Sequence, residues 1–299
     1  MAAALALMVD ARNELGEGVL WCERSARVFW TDIEGARLHS HHPHSGASAS
    51  WAMPERLACF ALTVDANIIL LGLASQLALL DLRTGAVTAL MAVEAALPTR
   101  LNDGRCDRQG RFVFGTMDES PVRTAIGSFY RLHADLKLER LPLPRVAIAN
   151  SICFSVDGSV MYFCDTVEKI IYRWNGYASG DSADLSVFAD VRGSAGSPDG
   201  SLIDADDQLW NAEWGGGRVV RYDRSGRVER SLTLPASQPS CLCLGGPHLN
   251  QLYVSSAWQH MSAATRAREP AAGGLFHADL AGWAVRGLAE ARFGVAAII

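Results

Sequence analysis

The sequence predicts an all-β chain folded as a six-bladed β-propeller, one domain over residues 1–299. Three observations predict it. A unit of two short apolar strands recurs six times, starting at residues 28, 68, 111, 160, 208 and 251; the starts lie 40 to 49 residues apart, the period of a four-stranded blade. The strands are rich in Val, Ile, Phe, Tyr and Trp, and Asp-Gly and Gly-rich turns such as Asp157-Gly158 and Asp199-Gly200 lie between them. No stretch places apolar residues at i, i+3, i+4 and i+7, as an amphipathic helix would. A pair of β-sandwiches, the alternative, explains short strands but not six evenly spaced copies.

The copies run in order. Val28-Phe-Trp-Thr-Asp32 is followed by Ala36-Arg-Leu-His39, and Ile68-Ile-Leu-Leu-Gly72 by Gln76-Leu-Ala-Leu-Leu-Asp81. Arg111-Phe-Val-Phe-Gly115 precedes Ser128-Phe-Tyr-Arg131, and Val160-Met-Tyr-Phe-Cys164 precedes Lys169-Ile-Ile-Tyr-Arg173. The last two are Gln208-Leu-Trp-Asn211 with Arg218-Val-Val-Arg-Tyr222, and Gln251-Leu-Tyr-Val-Ser255 with Gly274-Leu-Phe-His277. The apolar N-terminal stretch Ala2 to Met8 lacks a basic flank and reads as a strand, not a signal peptide; residues Ala4 to Val9 are expected to close the ring beside C-terminal residues. Ala263 to Ala272 is polar and reads as a loop.

Composition narrows the function. Hydrophobic residues at 49% and charged residues at 20% describe an ordinary globular chain. The net charge of −5, with no block of like charges, argues against nucleic acid or an anionic membrane as partner and fits a small-molecule site. The longest apolar run, Asn67 to Ala74, is too short to span a bilayer. Seven cysteines, an odd number with no Cys-x-x-Cys pair, point to reduced, buried thiols in a cytoplasmic protein. His39, His41, His42 and His44 read as a solvated turn after a strand, and no Gly-x-Ser-x-Gly context supports a serine hydrolase.

A polar residue recurs ahead of the candidate innermost strands: Glu17 before Val19-Leu-Trp21, Asn102 before Gly104-Arg-Cys106, Asn150 before Ile152-Cys-Phe154 and Asp199 before Leu202-Ile-Asp204. Innermost strands line a propeller's central channel, so equivalent positions converge at one end of it. Two carboxylates and two amides there suit a hard or borderline divalent ion; Cys59 and Ser240 occupy the position in the second and sixth repeats and are weaker donors. Each residue taken singly also reads as a turn former ahead of a strand.

At these residues the chain resembles the SMP-30/gluconolactonase/regucalcin-like family of sugar lactonases. The likeness runs through Leu15-Gly-Glu-Gly-Val-Leu-Trp21, Arg100-Leu-Asn-Asp-Gly-Arg-Cys-Asp107, Gly110-Arg-Phe-Val-Phe-Gly-Thr-Met117, Ile148-Ala-Asn-Ser151, Ser155-Val-Asp-Gly158, Pro198-Asp-Gly200 and Leu209-Trp210, in order and at family-like spacing. The resemblance implies a six-bladed propeller with one divalent metal ion (Ca, Zn, Mn, Mg or Fe). It implies Glu17, Asn150 and Asp199 as metal ligands, Asp199 also as general base, and Arg100 and Asn102 as substrate contacts. Two departures stand out: Val19 replaces a usual proline, and the acidic substrate contact falls on Ser120 by ungapped matching, with Glu119 beside it taken as the contact. The Arg100 to Asp107 stretch looks most like members acting on pentonolactones such as L-arabinono-1,4-lactone; gluconolactone represents the hexonolactones. The expected reaction is metal-dependent hydrolysis of an aldonolactone to its aldonic acid. A phosphotriesterase or other esterase on the same scaffold, and a non-catalytic calcium-binding propeller, are the competing readings.

Overall fold

The computed structural model describes residues 4–181 and 183–294. Strand β1 (Ala6–Val9) is followed by five blades taken in chain order. The first comprises β2 (Gly16–Cys22), β3 (Arg27–Asp32), β4 (Arg37–His41) and β5 (Ser48–Ala52); the second β6 (Leu57–Leu62), β7 (Ile68–Leu73), β8 (Gln76–Asp81) and β9 (Val87–Ala92). The third holds β10 (Thr99–Cys106), β11 (Phe112–Asp118), β12 (Phe129–Leu132) and β13 (Leu138–Arg140); the fourth β14 (Ala149–Phe154), β15 (Met161–Asp165), β16 (Ile170–Trp174) and β17 (Leu185–Asp190). The fifth is β18 (Ser197–Ile203), β19 (Leu209–Trp214), β20 (Arg218–Tyr222) and β21 (Val228–Thr233). The sixth contains β22 (Pro239–Gly245), β23 (Gln251–Ser256) and β24 (Leu275–Asp279), and β1 supplies its outer strand by antiparallel pairing with β24, as the sequence led one to expect. Ala2 and Ala3, the start of that apolar stretch, lie outside the described residues.

Every sheet is four-stranded and antiparallel, the first five are meanders of consecutive strands, and the six pack around one axis. The inner strands β6, β14 and β22 are buried along their whole length, whereas the outer strands β5 and β21 alternate or lie exposed. Burial on both faces is why β6, Leu57-Ala-Cys-Phe-Ala-Leu62, reads as a continuous apolar run and not as an alternating one. Between successive blades lie apolar clusters, for example Phe60, Leu71 and Leu38 between the first two, and Phe129, Phe163 and Ile152 between the third and fourth. Removing this surface from water is the main force closing the ring.

At the end of the channel remote from the site described below, the segment Gly287 to Glu290 lies across the ends of β10, β14, β18 and β22, and only about 20 Å³ of space remains there. Glu290 pairs with Arg105 of β10 at 3.7 Å.

Three expectations need correction. Asp199-Gly200 is not a turn but the middle of β18, whereas Asp157-Gly158 is a turn, with Gly158 at φ +72°. The Ala263 to Ala272 stretch contains a helix, α1 (Ala263–Arg268), with no buried residue. Its stability is local: the Ser262 side chain caps the Thr265 N–H, and Arg266 lies 3.8 Å from the Trp258 ring centroid, neither of which leaves an apolar period to read. His39 and His41 belong to β4 and not to a turn; His39 stacks on Trp30 and His41 bonds to Ser48 at 2.9 Å. Among the described residues no helix is long and apolar enough to cross a membrane.

Candidate active site

The recurring polar residues lie inside the inner strands, not ahead of them. In all six inner strands the register with the second strand shifts near the same level: between Glu17 and Leu20, Leu57 and Cys59, Leu101 and Gly104, Asn150 and Cys153, Pro198 and Ser201, and Pro239 and Leu242. Such a bulge bends the strand and re-aims a side chain that would otherwise follow the pleat. Gly18 at φ +60° supplies the bend beside Glu17. Gly200 beside Asp199 meets a different demand: a Cβ there would stand 2.8 Å from the Cys241 Cα of the next inner strand.

Carboxylates at the ends of second strands hold two of these positions. Asp32, closing β3, accepts from the Leu15 and Glu14 backbone N–H groups at 3.0 and 3.2 Å, two and three residues before Glu17. Asp165, closing β15, accepts from Ile148 and Ala147 at 3.2 and 2.7 Å, two and three residues before Asn150. The same device thus sets the height of Glu17 and of Asn150 along the axis.

Glu17, Asn150, Asp199, Arg100, Asn102 and Glu119, all six predicted site residues, line one open cavity of about 290 Å³ at the channel mouth. Its wall includes Arg56, Arg123, Thr166, Trp214 and His260. Trp214 both packs near Leu15 and Ile33 and faces this cavity. Cys59 and Ser240 do not join it: Cys59 is buried against Gly72 and Gly104, and the Ser240 hydroxyl donates to the Gly16 carbonyl.

A directed relay orients the amides. Arg100 Nη1 donates to Asn102 Oδ1 at 2.7 Å; Asn102 Nδ2 donates to the Ala149 carbonyl at 3.0 Å and to Asn150 Oδ1 at 3.1 Å; Asn150 Nδ2 donates to Thr166 Oγ1 at 2.9 Å. Because arginine only donates, every later amide is fixed in direction. Both N–H groups of Asn102 are occupied, so this residue offers a substrate only a lone pair on Oδ1. Asp199 is anchored through its backbone carbonyl, which accepts from Ser151 Oγ at 2.6 Å and Asn211 Nδ2 at 3.0 Å.

Electrostatics distinguish the two carboxylates. Burial, then the nearby Asp103 charge, push the Glu17 carboxyl up from 4.5 to about 8. Burial followed by the Glu17 charge push Asp199 well above the ordinary carboxylate range. Neither forms an ion pair with a basic side chain among the described residues. Arg100, brought down to about 10 by burial and by Arg56, remains a cation at neutral pH. Its Nε stands 3.8 Å from Glu119, whose carboxylate is gripped by Arg56 at 2.7 Å. Glu119 is therefore at the rim, already engaged. Asp118 turns away to accept from Ser120 and Thr124.

No three His, Cys, Asp or Glu side chains among the described residues form a metal cluster. The donor set is instead two carboxylates and one amide oxygen. Its chemistry fits a divalent cation: all three are oxygen donors, the carboxylates repel each other in a buried site, and Asn150 Oδ1 keeps a free lone pair. The sequence reading missed Asp103, which accepts from the Ile152 N–H at 2.8 Å, and also missed Arg56 and Thr166. Only Asp103, inside the Arg100 to Asp107 stretch, carried a local signal.

The chain is 50% identical over 289 residues to the L-arabinolactonase of Azospirillum brasilense, covering 96% of this chain and 94% of that one. It is 32% identical to the 6-deoxy-6-sulfogluconolactonase of Pseudomonas putida, covering 92% and 94%. A crystal structure of a calcium-binding protein, regucalcin, from Agrobacterium tumefaciens superposes with a TM-score of 0.89 at 32% identity, over 98% of this chain and 99% of that one. The model of the SMP-30/gluconolactonase/LRE-like region matches residues 15–258, the span that carries all six blades' inner strands and every residue of the cavity's donor set, and the chain belongs to that family.

Proposed function

We propose that this protein hydrolyses a sugar lactone to the corresponding aldonic acid, using a divalent cation held by Glu17, Asn150 and Asp199. The observation that carries the proposal is the meeting of those three oxygen donors with Arg100 and Asn102 in one cavity at the channel mouth. Kinship at 50% identity with an L-arabinolactonase supports a pentono-1,4-lactone, such as L-arabinono-1,4-lactone, ahead of a hexonolactone such as gluconolactone. The seven buried, unpaired thiols support a reducing, cytoplasmic setting.

When bound, a divalent cation supplies polarisation of the lactone carbonyl and a more acidic water. Beside that charge Glu17 and Asp199 would be ionised at neutral pH, reversing the upward displacement that burial, and then neighbouring carboxylates, cause. Asp199 accepts a proton from the water as its oxygen bonds to the lactone carbonyl carbon. The same carboxyl returns a proton to the ring oxygen as the carbon–oxygen bond of the ring breaks, which leaves the open-chain acid. Arg100 keeps three N–H groups beyond those spent on Leu101 and Asn102, and they face the developing oxyanion or a sugar hydroxyl. Glu119 at the rim accepts from an outer hydroxyl.

The test is hydrolysis of an aldonolactone panel by metal-stripped protein with single cations restored, alongside a phosphotriester. The proposal expects a pentonolactone to be opened fastest and Asp199→Ala to be inactive. Failure to open any lactone above background with any cation refutes it, and preferential cleavage of the phosphotriester selects the other esterase chemistry. Full activity in Asp199→Ala removes both roles given to Asp199, as base and as cation ligand.

A further inference from the structure

We propose that Thr166 is a positioning residue that fixes Asn150 with its carbonyl oxygen, not its NH2 group, toward the channel axis; this rests on the cation reading above. Thr166 opens the turn after β15 and lines the cavity, and nothing in its own sequence neighbourhood marks it.

An asparagine ligand has a difficulty that a carboxylate lacks. Its two terminal atoms are nearly the same size, but only one binds a cation; the other, turned inward, presents two protons to it. The orientation must therefore be enforced by neighbours. Here enforcement comes from both sides. Asn102 Nδ2 donates to Asn150 Oδ1 at 3.1 Å, and Thr166 Oγ1 accepts from Asn150 Nδ2 at 2.9 Å.

The threonine hydroxyl has one proton, and the structure shows where it goes. Thr166 Oγ1 donates to the Pro198 carbonyl at 3.0 Å. With its proton committed, the hydroxyl faces Asn150 as an acceptor only, and a flipped amide would set Oδ1 against its lone pairs. Pro198 directly precedes Asp199, so the same hydroxyl ties the fourth blade's ligand to the strand carrying the fifth blade's ligand. The Thr166 backbone is itself fixed, its N–H donating to the Ile148 carbonyl at 3.1 Å. The remaining contact is Cys164 Sγ at 3.9 Å, too long and soft to compete. Side chains that orient a metal's ligands typically affect its affinity by about 10–100-fold.

The experiment is calorimetric titration of the full-length, metal-stripped protein with calcium, manganese and zinc chloride separately. Thr166→Val, nearly isosteric, removes both hydrogen bonds; Thr166→Ser keeps them. For each cation that the wild type binds, Thr166→Val is expected to weaken affinity about 10–100-fold and Thr166→Ser by less than about 3-fold. In an Asn150→Asp background, where either oxygen serves, Thr166→Val should change affinity by less than about 3-fold. A merely structural role predicts equal losses in both backgrounds, and that result overturns the proposal, as does Thr166→Val binding as tightly as wild type. A wild type that binds none of the cations overturns the metal reading itself, and this inference with it.

Discussion

In the absence of a divalent cation the protein's stability should depend on pH through Glu17. Burial and the Asp103 charge raise this carboxyl from 4.5 to about 8. Between those values the folded protein keeps a proton that the unfolded chain has released. Stability falls wherever the folded state holds more protons as pH rises, so the stabilisation is whole below pH 4.5 and is lost progressively up to about 8. A carboxyl displaced that far corresponds to a ceiling of about 5 kcal/mol. Glu17 borders an open, water-accessible cavity, and screening there brings the expected loss to about 2–4 kcal/mol. Glu17→Gln, neutral throughout, lacks this loss, and relieves Asp199 of the Glu17 charge. The assay is urea unfolding in chelator at pH 5, 6.5 and 8, followed by tryptophan fluorescence. Wild type should lose stability across the series, Glu17→Gln should lose markedly less, and a saturating divalent cation should restore the wild type at pH 8. Parallel pH profiles for the two proteins would refute the reasoning.

Other substitutions test the scaffold. Gly200→Ala places a methyl 2.8 Å from the Cys241 Cα and Sγ, and should cost about 1–3 kcal/mol in denaturant unfolding while lowering activity through the adjacent Asp199. Asp165→Ala strips the Ala147, Ile148 and Val167 N–H groups of their acceptor, and should cost about 1.5–3 kcal/mol and raise the cation concentration needed for half-maximal activity. Asp204 is fully buried and accepts from Arg221 at 2.6 Å and from the Trp210 indole at 2.9 Å; Asp204→Ala takes the acceptor from the indole and leaves Arg221 only Glu229 and Asp206, and should cost about 1.5–3 kcal/mol without altering cation affinity. Arg100→Lys loses the planar fork that feeds both Asn102 and the cavity, so the KM for a lactone should rise more than 10-fold, a rough figure for losing a charged hydrogen bond, as measured by initial rates.

Much of the architecture was legible because a blade is a local object. Each pair of second and third strands is contiguous in sequence, apolar and closed by a short turn, so Val28 to His39 and Val160 to Arg173 announce themselves. Glu17, Asn102, Asn150 and Asp199 share one cavity because equivalent positions in equivalent blades face one axis, and Arg100 and Glu119 join them from the third blade. What was not legible depends on contacts between blades. A bulge leaves no compositional mark, so Asp199-Gly200 read as a turn although Gly200 is small because Cys241 of the neighbouring strand presses on it. Thr166 and Arg56 gain meaning only from Asn150 and Glu119, which lie in the next strand or the next blade. The helix Ala263–Arg268 rests on a serine cap and an arginine over Trp258, both too small a signal to override a polar composition.

The pairing of β1 with β24 also sets a timetable for synthesis. Ala6–Val9 leaves the ribosome ahead of the five blades encoded after it, yet its partner Leu275–Asp279 is made about 270 residues later, roughly 15–55 s at ordinary elongation rates. Until then the nascent sixth blade lacks its outer strand and the ring stays open, with raw sheet edges exposed to other chains. The five blades encoded between can form in sequence, but the buckle that holds them as a circle fastens only once Leu275–Asp279 has been made.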